Sequence, residues 1–169
     1  MGKSEVVMPL MDFAKINDGR YTVSICLSKL YPDDKERASF KKRFVDFRNA
    51  IDCNSRKIFN NLENDILEYK SECLIPETNF RPPLLLLLGN PAPHSVNEGM
   101  FFAYERNRQE HRFWRSLRDV GILSFNAPFE NYEARRNEFI YNQRSKYRIG
   151  LSVSYTMPSP PSDKTWGGV

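Results

Sequence analysis

The period of the apolar positions changes several times along the chain, and each change predicts a different element. Val6 to Met8 and Tyr21 to Leu27 read as short strands separated by the turn signal Asn17-Asp18-Gly19. They form a hairpin or simply lie along the domain. Asp33 is a helix N-cap with Glu36 in the capping-box position. Phe40, Phe44, Phe47 and Ile51 follow at helical spacing, so this helix buries an aromatic stripe and leaves Lys41, Lys42 and Arg43 on its wet flank. Ile58, Leu62, Ile66 and Tyr69 keep a similar spacing and predict a second helix from about Asn54 or Ser55, fading before Pro76. Residues 1–80 are thus expected to carry a helical hairpin packed on the core.

The pattern then becomes a continuous run. Leu84 to Leu88 follows Pro82 and Pro83, which block a helix from reaching back, and ends in Gly89-Asn90-Pro91-Ala92-Pro93-His94-Ser95. A short apolar run between turn signals suits a strand buried on both faces, as in a parallel sheet between helices. Leucine is a weak strand former, so a buried helical turn is the alternative. Helices are predicted over His111 to Val120, stopped by Gly121, and over Tyr132 to Asn142, with Ile122 to Pro128 as loop. Tyr147 to Tyr155 reads as a second central strand. Residues 81–169 are then a strand–helices–strand unit, whose connection makes the two strands parallel and the crossover right-handed.

Size and charge narrow the class. With 169 residues, 40% hydrophobic and 27% charged, the chain supports one globular domain. The net charge of +4 permits a polyanionic partner without requiring one. Cys26, Cys53 and Cys73 lack metal-site spacing and read as reduced thiols of a cytoplasmic or nuclear protein. No signal peptide or membrane span is expected, so the chain is read as neither secreted nor membrane-bound.

Candidate chemistry gathers in the loop after the leucine run, because open α/β sheets bind ligands at the carboxyl ends of their strands. Gly89 and Gly99 are too far apart for a phosphate-cradling fingerprint, and no serine sits in a nucleophile-elbow pattern. Two histidines without supporting spacing predict no metal site and no cofactor. What remains is an amide at Asn90, an imidazole at His94, a hydroxyl at Ser95 and the aromatics Phe101 and Phe102. Hydrogen-bonding groups with an aromatic face are the equipment for holding a flat heterocycle. Neighbouring extended residues point to opposite sides, so one phenylalanine is core, and Phe101 is assigned that place. Asn90 alone would be a turn residue capping its own loop; its setting promotes it.

Asn90-Pro91-Ala92-Pro93, Gly99-Met100-Phe101-Phe102-Ala103, Arg112-Phe113-Trp114 and Tyr147-Arg148-Ile149-Gly150-Leu151 occur in one order and spacing. In this the chain resembles the uracil-DNA glycosylase superfamily, nearest the mismatch-specific uracil and thymine glycosylases, over roughly Leu84 to Pro158. The resemblance implies a three-layer α/β/α domain with a central parallel sheet, preceded here by the helical hairpin. It implies a DNA glycosylase without cofactor, acting on DNA with a damaged or mismatched base. Asn90 would position the attacking water and Phe102 would stack on the flipped base; His94, from its place in the loop, is a further catalytic candidate, with a loop hydrogen bond or a DNA phosphate contact as the alternative. Backbone groups near Gly89 and Ala92 to Ser95 would bind the base edge; Arg112 and Ser159 are the DNA-contact candidates, the alternatives being a structural Arg112-Phe113-Trp114 and an exposed linker over Pro158 to Ser162. Arg106, Arg108, Arg115, Arg118, Arg135 and Arg136 are further phosphate candidates, diluted by neighbouring acids. Leu88 and Ala92 replace two glycines of the family's Gly-x-Asn-Pro-Gly motif. The family's two further strands and late duplex-wedging loop have no counterpart in this sequence, which leaves an inactive nucleic-acid-binding relative as the rival reading. A hydrolase of free nucleosides with the same pocket is a third.

Overall fold

The computed structural model describes residues 9–15, 20–60 and 62–160. The expected strand at Val6 to Met8 and the turn at Asn17-Asp18-Gly19 lie outside them. Strands β1 (Met11–Lys15) and β2 (Arg20–Cys26) pair antiparallel, so the partner of the expected Tyr21–Leu27 strand among the described residues is Met11–Lys15. After a single turn, α1 (Leu27–Leu30), comes the long helix α2 (Asp34–Ala50). Asp33 caps α2 as expected, its carboxylate accepting the backbone N–H groups of Lys35 and Glu36 at 2.9 Å. The stripe of Phe40, Phe44 and Ile51 is buried, with Phe47 packed against it.

The second helix of the hairpin does not form. Only one turn, α3 (Cys53–Arg56), is helical, and Ile66–Glu72 is strand β3, paired antiparallel with β2 along its whole length. Asn64 and Asp65 both adopt left-handed backbone (φ 50° and 61°), and Ile66 N–H closes the turn on Glu63 O at 2.8 Å. Asn and Asp tolerate that conformation better than most residues, and two in succession end any helix. The same apolar residues then satisfy a period of two: Leu67, Tyr69 and Ser71 are buried.

Strand β4 (Pro83–Leu88) is followed by α4 (Pro93–Glu98), α5 (Arg112–Asp119), β5 (Leu123–Ser124), α6 (Tyr132–Tyr141), β6 (Arg144–Ser145) and β7 (Arg148–Val153). β4 and β7 are parallel, with Leu84 opposite Ile149 and Leu88 opposite Val153, as the strand–helices–strand reading requires. The stretch read as loop after Gly121 contains β5, which pairs antiparallel with β6. The molecule is therefore mixed α/β, with one small parallel pair and two antiparallel sheets among the described residues. Leu74, just beyond β3, exchanges two backbone hydrogen bonds with Leu151 (2.9 and 2.8 Å), which brings the N-terminal sheet against the parallel pair.

The leucine strand is not buried on both faces. Leu84, Leu85 and Leu87 are 38%, 59% and 63% exposed, because β4 pairs only with β7 among the described residues and stands at the sheet edge. The buried partner is β7, whose Ile149 and Leu151 join Trp114, Phe139, Phe101 and Met100 in one core. A second core holds the α2 stripe, Val23, Leu67 and Tyr69, and Val96 of α4 inserts into it. Asn97 of α4 also donates to the Asn54 carbonyl at 2.7 Å. α4 therefore touches the N-terminal layer directly, at the place where the loop after β4 delivers it.

Candidate active site

Because β4 and β7 run in the same direction, their following loops leave from the same edge, and hydrogen bonds tie the two together. Ser154 N–H donates to Leu88 O and Gly89 O (2.8 and 3.0 Å), Tyr155 N–H to Gly89 O (3.2 Å), and Ser159 N–H to Pro91 O (3.1 Å). On this platform the exposed Asn90 carboxamide donates to the Ser159 hydroxyl. Two residues predicted for the site, 69 positions apart, are in contact.

The other predicted residues scatter around this junction. Gly89 has open space where a side chain would stand. Ala92 precedes α4 as its N-cap, its carbonyl accepting Val96 N–H at 3.1 Å. Ser95 is buried and internally used: its hydroxyl accepts Ala103 N–H (3.3 Å) and its carbonyl Met100 N–H (3.2 Å). Arg112 is 83% exposed, with Nε 3.6 Å from the Glu105 carboxylate. Its backbone N–H is also held by that carboxylate, at 2.8 Å.

His94 packs its ring on Tyr104 (centroids 4.6 Å apart) and bonds to the Tyr104 backbone. Burial holds its pKa below the ordinary histidine value, so the imidazole is neutral near pH 7. It lines a cavity of about 950 Å³, together with Pro93, Tyr104, Arg108, Pro160 and residues of α2, α3 and β3. Neither Asn90 nor Phe102 lines that cavity, although Pro93 and Pro160 carry its wall to within a few residues of the Asn90–Ser159 contact.

Phe101 is core, as assigned. Phe102 has left-handed backbone (φ 50°), an unusual state for a bulky residue, and is half-buried. Its ring lies 4.7 Å from that of His111, nearly parallel, and 4.4 Å from that of Phe113. The Trp114 indole N–H holds this turn, donating to the carbonyls of Phe101 and Phe102 at 2.9 and 3.1 Å. The ring that was to receive a base is thus already part of an aromatic cluster.

Two of the phosphate candidates are internal. Arg135 and Arg136 are only 5% and 8% exposed. Arg135 pairs with Glu110 and lies over the Phe125 ring at 4.3 Å. Arg136 donates to the carbonyls of Glu98 and Gly99 (3.1 and 3.2 Å), holding the end of α4. The motif's Gly99 is needed there: its φ is +68°, and a Cβ would stand 2.7 Å from the Arg136 guanidinium. Sequence reasoning missed Lys57, Lys70, Asn97 and Tyr104 as cavity-lining residues. Lys70 was hidden by the helix reading of β3; the adjacency of Tyr104 to the Phe101–Ala103 block was the one available signal.

Among the described residues no group of three or more His, Cys, Asp or Glu side chains is placed to hold a metal ion, and no helix is long and apolar enough to cross a membrane. No protein-family model, curated protein or solved structure matches this chain.

Proposed function

We propose that the chain is a DNA glycosylase of the uracil-DNA glycosylase type, built on a three-layer α/β/α scaffold whose parallel strands include β4 and β7. It would hydrolyse the bond between the sugar and uracil, or another deaminated or mismatched base. The observation that carries the reading is the contact of the exposed Asn90 carboxamide with Ser159 at the common carboxyl end of the two parallel strands. Ligands of open α/β sheets are bound at such ends.

In this reading Asn90 orients a water toward the sugar carbon. The glycosidic electron pair leaves with the base, and the proton that the water loses as the new bond forms passes to bulk solvent, from which the base anion is protonated. A carboxamide cannot take that proton, so the rate rests on positioning and on donors that stabilise the departing base anion. Neutral His94 serves as a hydrogen-bonding group rather than a strong acid. With the Ser95 hydroxyl already accepting from Ala103 N–H, the base edge falls chiefly to backbone groups near Gly89 and Ala92. A base stacked on Phe102 would extend the cluster with His111 and Phe113.

That occupied ring favours a second reading, a catalytically inactive nucleic-acid-binding relative on the same scaffold. One assay separates them. End-labelled oligonucleotides with a single uracil (single-stranded or opposite guanine) or hypoxanthine are incubated with the protein, then heated in alkali to break abasic sites. The glycosylase reading predicts cleavage at the modified position of at least one substrate. Intact DNA in every lane, with binding retained, would establish the second reading.

A further inference from the structure

The cavity beside His94 differs from a small-molecule pocket in what lines it. Such pockets are predominantly apolar. This one, at about 950 Å³, carries Arg20, Lys57, Lys70 and Arg108 against two carboxylates, Asp52 and Glu98. The cations come from both walls: Lys57 follows α3 and Lys70 lies in β3, whereas Arg108 belongs to the turn after Tyr104 and sits over that ring at 5.2 Å. The rim residues Asp52, Asn54, Lys57 and Arg108 are exposed. The Asp52 carboxylate is engaged locally, accepting Asn54 N–H and Ser55 N–H at 3.0 Å and the Ser55 hydroxyl at 2.6 Å. Pro93 and Pro160, three residues after Asn90 and one after Ser159, form part of the cleft wall.

We propose that this cleft between the N-terminal layer and α4 holds the backbone of a single DNA strand, with Lys57, Lys70 and Arg108 meeting its phosphates. The inference rests on the glycosylase reading for why a strand is brought there. It adds that the N-terminal segment forms half of the DNA-binding surface. Phosphate contacts of this kind fix register and orientation, so a strand seated here would enter the Asn90 loop in one direction.

The test is fluorescence anisotropy with a labelled single-stranded 20-mer containing one uracil, titrated at several salt concentrations. The variants are Lys57→Gln/Lys70→Gln and, as a control with the same charge change on the outer flank of α2, Lys42→Gln/Arg43→Gln. The cleft pair should weaken binding about tenfold at 150 mM salt and lower the slope of log affinity against log salt by about 1.4, while the control keeps the wild-type slope. The proposal is overturned by a wild type that does not bind, by an unaffected cleft pair, or by equal shifts in both pairs. Cleft-dependent binding without base release leaves the inference standing and removes the glycosylase reading. Base release by a cleft pair that binds like wild type does the reverse.

Discussion

The two halves of the site that the sequence pointed to have opposite surroundings. Asn90 is exposed, on a loop whose backbone is tied to the loop after β7, and its side chain donates to the Ser159 hydroxyl. Phe102, twelve residues on, is half-buried among His111, Phe113 and Phe101, its left-handed backbone pinned by the Trp114 indole. A group that acts on solvent and substrate can stand in the first environment. The second is what a packing residue has. The comparison teaches that two candidate residues twelve positions apart can fold into opposite environments, and that the order of residue types does not say which stays exposed.

The largest effect that sharpens the contrast belongs to Trp114. Trp114→Ala removes a buried ring and both indole hydrogen bonds to the Phe101–Phe102 turn, and should cost about 3–5 kcal/mol in urea unfolding. A loss below about 1 kcal/mol would mean that the turn is held by something else.

Phe102→Leu comes next. If the ring mainly packs, the variant loses about 1 kcal/mol of stability and binds DNA like wild type. If the ring mainly stacks on a base, stability holds and affinity for single-stranded DNA falls about tenfold or more. Unfolding curves and anisotropy on the same preparation decide between them.

Acid should act on both halves through the two histidines. Burial is the main cause holding His94 and His111 below the ordinary value, so the unfolded chain binds their protons more readily. Their contribution to stability is complete above about pH 6.5 and is lost as pH falls from there through the lower folded values. Chemical unfolding at pH 7.5, 6.5 and 5.5 should show the decline. His111 is the N-cap of α5, its Nδ1 accepting Phe113 N–H at 3.1 Å, and asparagine can do the same. His111→Asn should therefore keep the helix while making the acid decline shallower; an unchanged slope would remove His111 from the account.

Much of the framework was legible because local physics agreed with the final packing. The Asp33 cap, the Phe40–Phe44–Ile51 stripe, the helices over Arg112–Asp119 and Tyr132–Tyr141 and the parallel pairing of the leucine run with the Tyr147–Tyr155 region all followed from spacing and turn chemistry. The β3 error has a local cause: Ile58, Leu62, Ile66 and Tyr69 fit a helix by spacing, but Asn64 and Asp65 break it with two left-handed residues. The exposure of β4 had no local signal. Five leucines look buried wherever they stand, and only the sheet order makes them an edge. In the site, the Asn90 loop was legible from its place after a strand. The Lys57–Lys70 wall was not, since it depends on two distant segments meeting α4.

The smallest structural effect is expected at Asn90, and it frames the decisive experiment. Asn90→Ala removes one exposed hydrogen bond and should change unfolding free energy by about 0.5 kcal/mol or less. Single-turnover release of free uracil from a single-stranded oligonucleotide, measured for wild type and Asn90→Ala with melting curves in parallel, tests the central claim most directly. The account predicts measurable release by wild type, a loss of about 10²-fold or more in the variant, and superimposable melting. Equal release by the two proteins, or none from wild type on any uracil substrate, would contradict it.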